Sequence, residues 1–307
     1  MSGGRSEAGR VPERGVVERL PRQTHESHGD HCPPGQPYFN THSSPSSKCQ
    51  KDNQSFFPSL DNCKRFESIP ILSSTIYYPS KSIMAAPADV TIKNLSGEWT
   101  MEKNISDPSD PILTLQGISW VTRKAISYAT VTLIIKEYAD SEDAKVMHID
   151  IDQVLTGGIK GTSEKRHTDW AERDHKDHIF GNLKGRSRLI RGSKGDDGKV
   201  RPAVEINTKI DDPKVKQFLR GEILIDGSPC EGFLVDSEGE EYGEGEGLFL
   251  QSFVVNQDDG AGWTAEQIWG FETINGQRYH TRRVVVAKNG EYKMARLAYS
   301  YVKRLDA

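Results

Sequence analysis

The chain has 307 residues, 35% of them hydrophobic and 27% charged, with a formal net charge of −4. That composition suits a globular protein of one large domain or two ordinary ones, and no run reaches the roughly 18 apolar residues of a membrane span. Residues 84–307 hold 30 Lys and Arg against 36 Asp and Glu, which argues against the clustered positive surface that nucleic-acid binding needs.

Residues 1–83 carry 9 of the 15 prolines, 4 of the 9 histidines and 3 of the 4 cysteines, without a sustained apolar period. Such a segment cannot bury enough apolar surface to offset the entropy of ordering it, and a disordered tail is expected. Met84, in SIMAAPADV, reads as an alternative start running into the patterned region. The tract HESHGDHC, with His25, His28, His31 and Cys32, has metal-binding residue types, but an unfolded tract of this kind binds weakly, and no metal site is assigned. The N-terminus lacks the apolar core of a secretory signal, and Cys230 is the only cysteine after residue 83. A reducing compartment, the cytoplasm, is expected.

From Met84 onward the elements follow in order. The stretch LSGEWTMEKN contains Gly97 and Trp99 at the start of a strand, with the indole placed to plug one end of a small barrel. In DPSDPILTLQGISWVTRKAISYA, Asp110 and Pro111 suit a helix start and Gly117 suits its left-handed stop. A second short helix carries Trp120, Arg123 and Lys124. Strands are predicted at 131–138 and 146–155, the second alternating strictly. GTSEKRHTDW and HIFGNLKGRSRLI read as a hairpin pair around AERDHKD. Further strands are predicted at 203–210, 222–226, 232–236, 248–256, 264–273, 278–287 and 291–304, with a helical insertion at 212–221. Turn residues Asp226-Gly227, Asn275-Gly276 and Asn289-Gly290 separate them. A run of hairpin-connected strands usually removes its edges by closing. The expected fold is an all-β, closed antiparallel barrel of about 8–10 strands capped by two helices, wide enough for one small ligand.

GEWTMEKN followed by LTLQGISWVTRKAISYATVTLIIKEY, with Gly117, Arg123 and Lys124 in matching places, resembles the opening of cytosolic fatty-acid-binding proteins. The closing ARLAYSYVKRLDA resembles that family's last strand, and 94–305 as a whole resembles lipocalin-like (calycin) proteins of fungi. The resemblance implies a barrel with a ligand cavity beneath a two-helix portal at Gly117, Trp120 and Arg123. This chain is longer, with insertions expected around 190–245. Tyr299 and Tyr301 stand where the family's last strand has an Arg-x-Tyr carboxylate anchor, so the arginine is missing from that place.

The residues offer three candidate sites. The first is the basic and aromatic set Arg282, Arg283, Arg296, Tyr299 and Tyr301 on the last two strands. There Arg282 shares a face with His280, and Arg283 and Arg296 lie on the alternate faces. Its alternative is a set of solvated arginines or arginines packed over Trp99. The second is HTDWAERDHKDHIFG (His167, Asp169, Asp174, His175, Asp177, His178), a metal or acid–base candidate whose plainer reading is a solvated turn. The third is EGEEYGEGEG, an acidic loop that lacks the lysine of a phosphate loop. Neither a Ser–His–Asp order nor a cofactor fingerprint is present, and Cys230 has no adjacent base. The expectation is a carrier for a small hydrophobic ligand, a fatty acid or polyketide-like metabolite. Ligand contacts are expected from His280, Arg283, Arg296, Tyr299 and Tyr301, without a cofactor or nucleic-acid partner. The alternative is a cofactor-free isomerase or cyclase using the same cavity, which the resemblance allows. A haem-binding barrel with His280 as ligand is the third reading.

Overall fold

A computed structural model describes residues 85–157 and 161–305. The expected disordered tail and its histidine tract lie outside the described residues. Strand β1 (Gly97–Met101) is followed by helices α1 (Asp110–Leu115) and α2 (Trp120–Tyr128). Next come β2 (Val131–Ala139), β3 (Met147–Leu155), β4 (Ser163–His167), β5 (Arg173–Asp177), β6 (Gly181–Lys194), the short β7 (Val200–Pro202) and helix α3 (Pro213–Leu219). Four long strands complete it: β8 (Glu246–Asn256), β9 (Thr264–Ile274), β10 (Gln277–Lys288) and β11 (Glu291–Lys303).

All ladders are antiparallel, in the order β4-β3-β2-β1-β11-β10-β9-β8-β6-β5, with β7 paired to β6. β1 lies between β2 and β11, so the first and last strands are neighbours and the sheet curls into the calycin-like barrel expected from sequence. Among the described residues no ladder joins β4 to β5. The expected hairpin around AERDHKD is therefore corrected: β4 pairs with β3, and β5 with β6. SEKRH and RDHKD are polar on both faces, so alternation in them carries no information about which strand they pair with. The segment between them crosses to β6, where Trp170 N–H donates to Ser187 O and Arg186 and Arg188 stack on the indole.

The insertion after β6 is an outer layer. Val204, Val215, Phe218, Leu219 and Phe233 pack on Phe249, Ile268 and Val285, the outward residues of β8–β10. The strands expected at 203–210, 222–226 and 232–236 are absent. In the last two, isolated bridges at Ile223–Pro229 and Phe233–Glu272 are all that form. Their apolar residues bind this layer by side chains, while backbone donors such as Asn207 N–H and Thr208 N–H go to the buried Glu266 carboxylate. α3 supplies the expected helix, with Asp212 accepting from Lys214 N–H as its cap.

Inside the barrel the cluster around Trp99 contains Leu133, Ile135, Ile149, Ile151, Phe271 and Tyr301. The indole is fully buried, donates to Leu95 O at 3.0 Å, and meets the Tyr301 ring edge-on at 4.9 Å between centroids. Gly97 is extended, inside β1, and serves packing rather than a turn: a Cβ there would lie 2.5 Å from the Tyr301 ring. Replacing Trp99 with Ala is expected to lower the unfolding free energy by about 3–5 kcal/mol, read by denaturant titration.

Glu137, beside Leu95 and Ser96, is half-buried as a residue, yet its carboxyl is enclosed. Oε2 accepts from Leu95 N–H and Oε1 has no partner. Burial raises its pKa from 4.5 to about 8 despite the opposing Leu95 donor. Between those values the folded chain holds a proton that the unfolded chain has released, so this group's contribution falls as pH rises. Glu137→Gln is expected to leave the thermal midpoint unchanged below pH 4.5 and to raise it above pH 8, measured as a midpoint–pH profile.

Candidate active site

Strand alternation sends every second residue of the curled sheet inward. On β10 these are His280, Arg282, Val284 and Val286. On β11 they are Ala295, Leu297, Tyr299 and Tyr301, and on β9 Ala265, Gln267, Trp269 and Phe271. Of these, Ala265, Gln267, Arg282, Val284, Val286, Leu297 and Tyr299 line a cavity of about 860 Å³ roofed by Ile112 and Leu113 of α1 and Ile126 of α2. One wall is apolar, formed by residues such as Leu183, Val254, Trp263, Val284 and Leu297. The other is polar, with Gln153, Glu164, Arg166, His175, Gln267, Arg282 and Tyr299.

The polar wall is organised around Trp269. Arg282 lies 3.8 Å from its ring centroid and Arg166 5.1 Å, and its Nε1–H donates to Gln267 Oε1 at 3.0 Å. Arg166 is anchored: its Nε donates to Glu164 at 3.0 Å, and Nη1 reaches Ser187 Oγ and Ser252 Oγ across the barrel. Gln153 also donates to Glu164. Burial pushes the Glu164 carboxyl up, but the positive charges of Arg166 and Arg282 outweigh it and hold the group below its usual range.

Arg282 is only 5% exposed and makes no ion pair among the described residues. Its Nε faces His280 Nε2 at 3.5 Å, while Nη2 has no hydrogen-bond partner. Burial lowers the guanidinium pKa against the pull of Tyr299 and Glu164. His280, hydrogen-bonded through Nδ1 to Gly270 O, is held well below its usual pKa by burial and by Arg282. Its ring is therefore neutral, with Nδ1–H donating to the carbonyl and Nε2 turned to Arg282. Burial raises the Tyr299 phenol, which stays protonated as a donor. His175 Nε2 is a second buried polar atom of this wall without a partner.

Of the residues singled out from sequence, Tyr299 lines the cavity. Tyr301 lies deeper, against Trp99. Two expected ligand contacts are corrected. Arg283 and Arg296 face each other across β10 and β11 on the outer side of the sheet. Arg283, with 0% exposure, donates through Nε and Nη2 to Glu272 at 2.9 Å each, and through Nη1 to Phe218 O and Ile223 O under α3. Arg296 joins the same carboxylate at 3.4 Å. Their physical role is to neutralise a buried glutamate, not to meet a ligand.

His280 is likewise set behind the wall, enclosed by Trp99, Trp269, Phe271 and Tyr299. Neither nitrogen has an open approach, so the residues present do not fit a haem. In the roof, Gly117 has φ +81° and Arg123 ties α2 to Asp110 and Ile118 O, while Trp120 points outward at 64% exposure.

No sequence signal marks Arg166, Glu164, Gln153 and Gln267, whereas His175 belongs to the metal or acid–base candidate cluster and stands in the cavity wall. Among the described residues no group of three or more His, Cys, Asp or Glu is arranged to hold a metal ion. The acidic loop lies on the outside, where Glu241 pairs with Lys93.

No family model matches the chain. It is 27% identical over 219 residues to the pericyclase pydY of Acremonium sp, covering 71% of this chain and 97% of that protein. It is 27% identical over 218 residues to the probable pericyclase scpY of Mollisia scopiformis, covering 71% and 95%. Among solved structures, lipid binding protein 8 of Caenorhabditis elegans aligns with 69% of this chain and 99% of its own, at 12% identity and a TM-score of 0.37. A fatty-acid-binding protein of Schistosoma mansoni, solved with arachidonic acid, gives 16% identity and 0.35, over 69% and 96%. Those scores carry no functional argument, and the barrel is established by its own strand order.

Breaking the outer-layer ion pair is expected to cost stability alone. Arg283→Gln leaves Glu272 buried with fewer partners, a loss of about 3–5 kcal/mol by denaturant titration. The affinity of the folded variant for a cavity ligand is expected to equal that of wild type.

Proposed function

We propose that this chain is a cofactor-free cyclase of the pericyclase type, acting on a flexible, largely apolar, polyunsaturated molecule held in the barrel cavity. The observation that carries this reading is the alignment with two proteins named as pericyclases over nearly their whole length. The cavity supplies what such a reaction requires. In the addition of a diene to an alkene in the same molecule, three π bonds become one π and two σ bonds. No atom, proton or electron enters or leaves, so no nucleophile, general base or redox group is needed.

Two contributions remain for the protein. The apolar wall under α1 and α2 confines a chain that is extended and mobile in water to a folded conformer, replacing reaction entropy by binding. The polar wall then aims Arg282, with Tyr299 beside it, at a carbonyl conjugated to the electron-poor partner. A preorganised cation in a buried site stabilises charge that accumulates there as bonding proceeds. Trp269 and the neutral His280 keep the guanidinium in place without neutralising it.

The second reading is a carrier, favoured by the predominance of apolar surface around the cavity. The two separate in one assay. A panel of linear trienes bearing a tethered α,β-unsaturated carbonyl is incubated with the protein and followed by chromatography and mass spectrometry. A cyclase is expected to accelerate conversion to a product of unchanged mass and to favour one stereoisomer over the mixture formed in buffer. Arg282→Gln is expected to slow the accelerated reaction by about 10²–10³, the loss typical of removing one preorganised donor. Tight binding of the panel without acceleration would favour the carrier.

A further inference from the structure

Arg282 is a buried cation of the polar wall with no ion-pair partner among the described residues and an unbonded Nη2, and we infer from this that the substrate carries a single oxyanion head group, of carboxylate type, seated on Arg282. The inference rests on the reading of the cavity as the substrate site. It adds the charge and orientation of what occupies it.

Several other charged groups of this wall are held by neighbours. Arg166 and Glu164 form one pair. Arg173, at the seam between β4 and β5, is paired with Asp169 outside the barrel. Asp177 accepts from Ile179 N–H and Phe180 N–H. Arg282 is left as one buried positive charge without a counter-charge of its own, with Nη2 unbonded. An isolated buried cation is costly, and a buried donor without an acceptor adds to that cost. A chain that retains both has a use for a ligand that relieves them. A monoanion relieves both at once, because its oxygen accepts from Nη2 while its charge pairs with the guanidinium. A neutral ligand relieves only the hydrogen bond, and a cation is repelled by the guanidinium.

The surroundings agree in chemistry. His175 Nε2, also without a partner, lines the same cavity and offers a second contact to a two-oxygen head. All five residues of β4, Ser163 to His167, line the cavity although alternate residues of a strand face opposite ways. The cavity therefore extends round the edge of β4 into the gap before β5, where Lys165 supplies positive charge to an approaching anion. The apolar remainder of the molecule then lies beneath α1 and α2, which sets the direction in which it is held.

Binding decides this without turnover. The probes are cis-parinaric acid, a fluorescent polyene acid, and the corresponding alcohol, titrated at neutral pH. Wild type is expected to bind the acid about tenfold more tightly than the alcohol or better, the range of a charge-assisted hydrogen bond in a buried site. Arg282→Gln is expected to remove that preference while leaving affinity for the alcohol near the wild-type value. Should Arg282→Gln fail to fold by thermal melt, Arg282→Met removes the charge at similar volume and carries the same expectation. Equal affinity of wild type for acid and alcohol overturns the inference. So does a preference that survives loss of the Arg282 charge, since the anion is then held elsewhere. An intact acid preference in a protein that accelerates no cyclisation would leave this inference standing and remove the cyclase reading alone.

Discussion

Adjacent arginines on β10 are held on opposite sides of one sheet, and much of the molecule is arranged to make both positions tolerable. Arg283 points outward and would be an isolated cation against the apolar face of β8–β10. Glu272 and the carbonyls of Phe218 and Ile223 satisfy it, which requires α3 and the following loop to lie there. Arg282 points inward, and its stem and guanidinium are fixed by Trp269, His280 and Tyr299 without a carboxylate in contact. Strand alternation thus divides two identical side chains into a structural group and a chemical one.

That division leaves one arginine to hold the outer layer and one to face the cavity. Fold and function are separable, and function lies in what is placed on the scaffold. The barrel here has an apolar wall under a helical roof, and Trp99, Tyr301 and the segment before β1 fill the far end. The polar groups are concentrated opposite, on β3, β4, β5, β9, β10 and β11. A cavity with such a gradient fixes the direction of an elongated amphipathic molecule, which a uniformly greasy one cannot do. The outer layer added after β6 reinforces the outer face of β8–β10, the strands that carry Trp269 and Arg282.

Much of the barrel was legible because its signals are local. The alternation of VMHIDIDQVL, the β-branched run of β10, the turn glycines and the Pro-Gly bracketing of α1 each identify an element without reference to a partner. Trp99 could be placed inside from its spacing to Gly97 and the strand pattern around it. The site was only partly legible. Sequence separates the faces of β10, but nothing in it says which face is inside when both are apolar at Val284, Val285 and Val286. The outer layer buries the face that would otherwise face water, so sequence reasoning names Arg283 and not Arg282 as an anchor. Arg166 and Glu164 were hidden for a different reason. They sit in a five-residue strand that is polar throughout, so its alternation does not show which residues belong to the cavity wall.

The measurement that tests the account most directly is a crystal structure of the chain with a polyene acid bound. The account predicts the apolar chain beneath α1 and α2 and one carboxylate oxygen at about 2.7–2.9 Å from Arg282 Nη2. A head group found against Arg283 or Arg296 on the outer face, or an acid bound with its charge beneath the helices and its chain against Arg282, would contradict it.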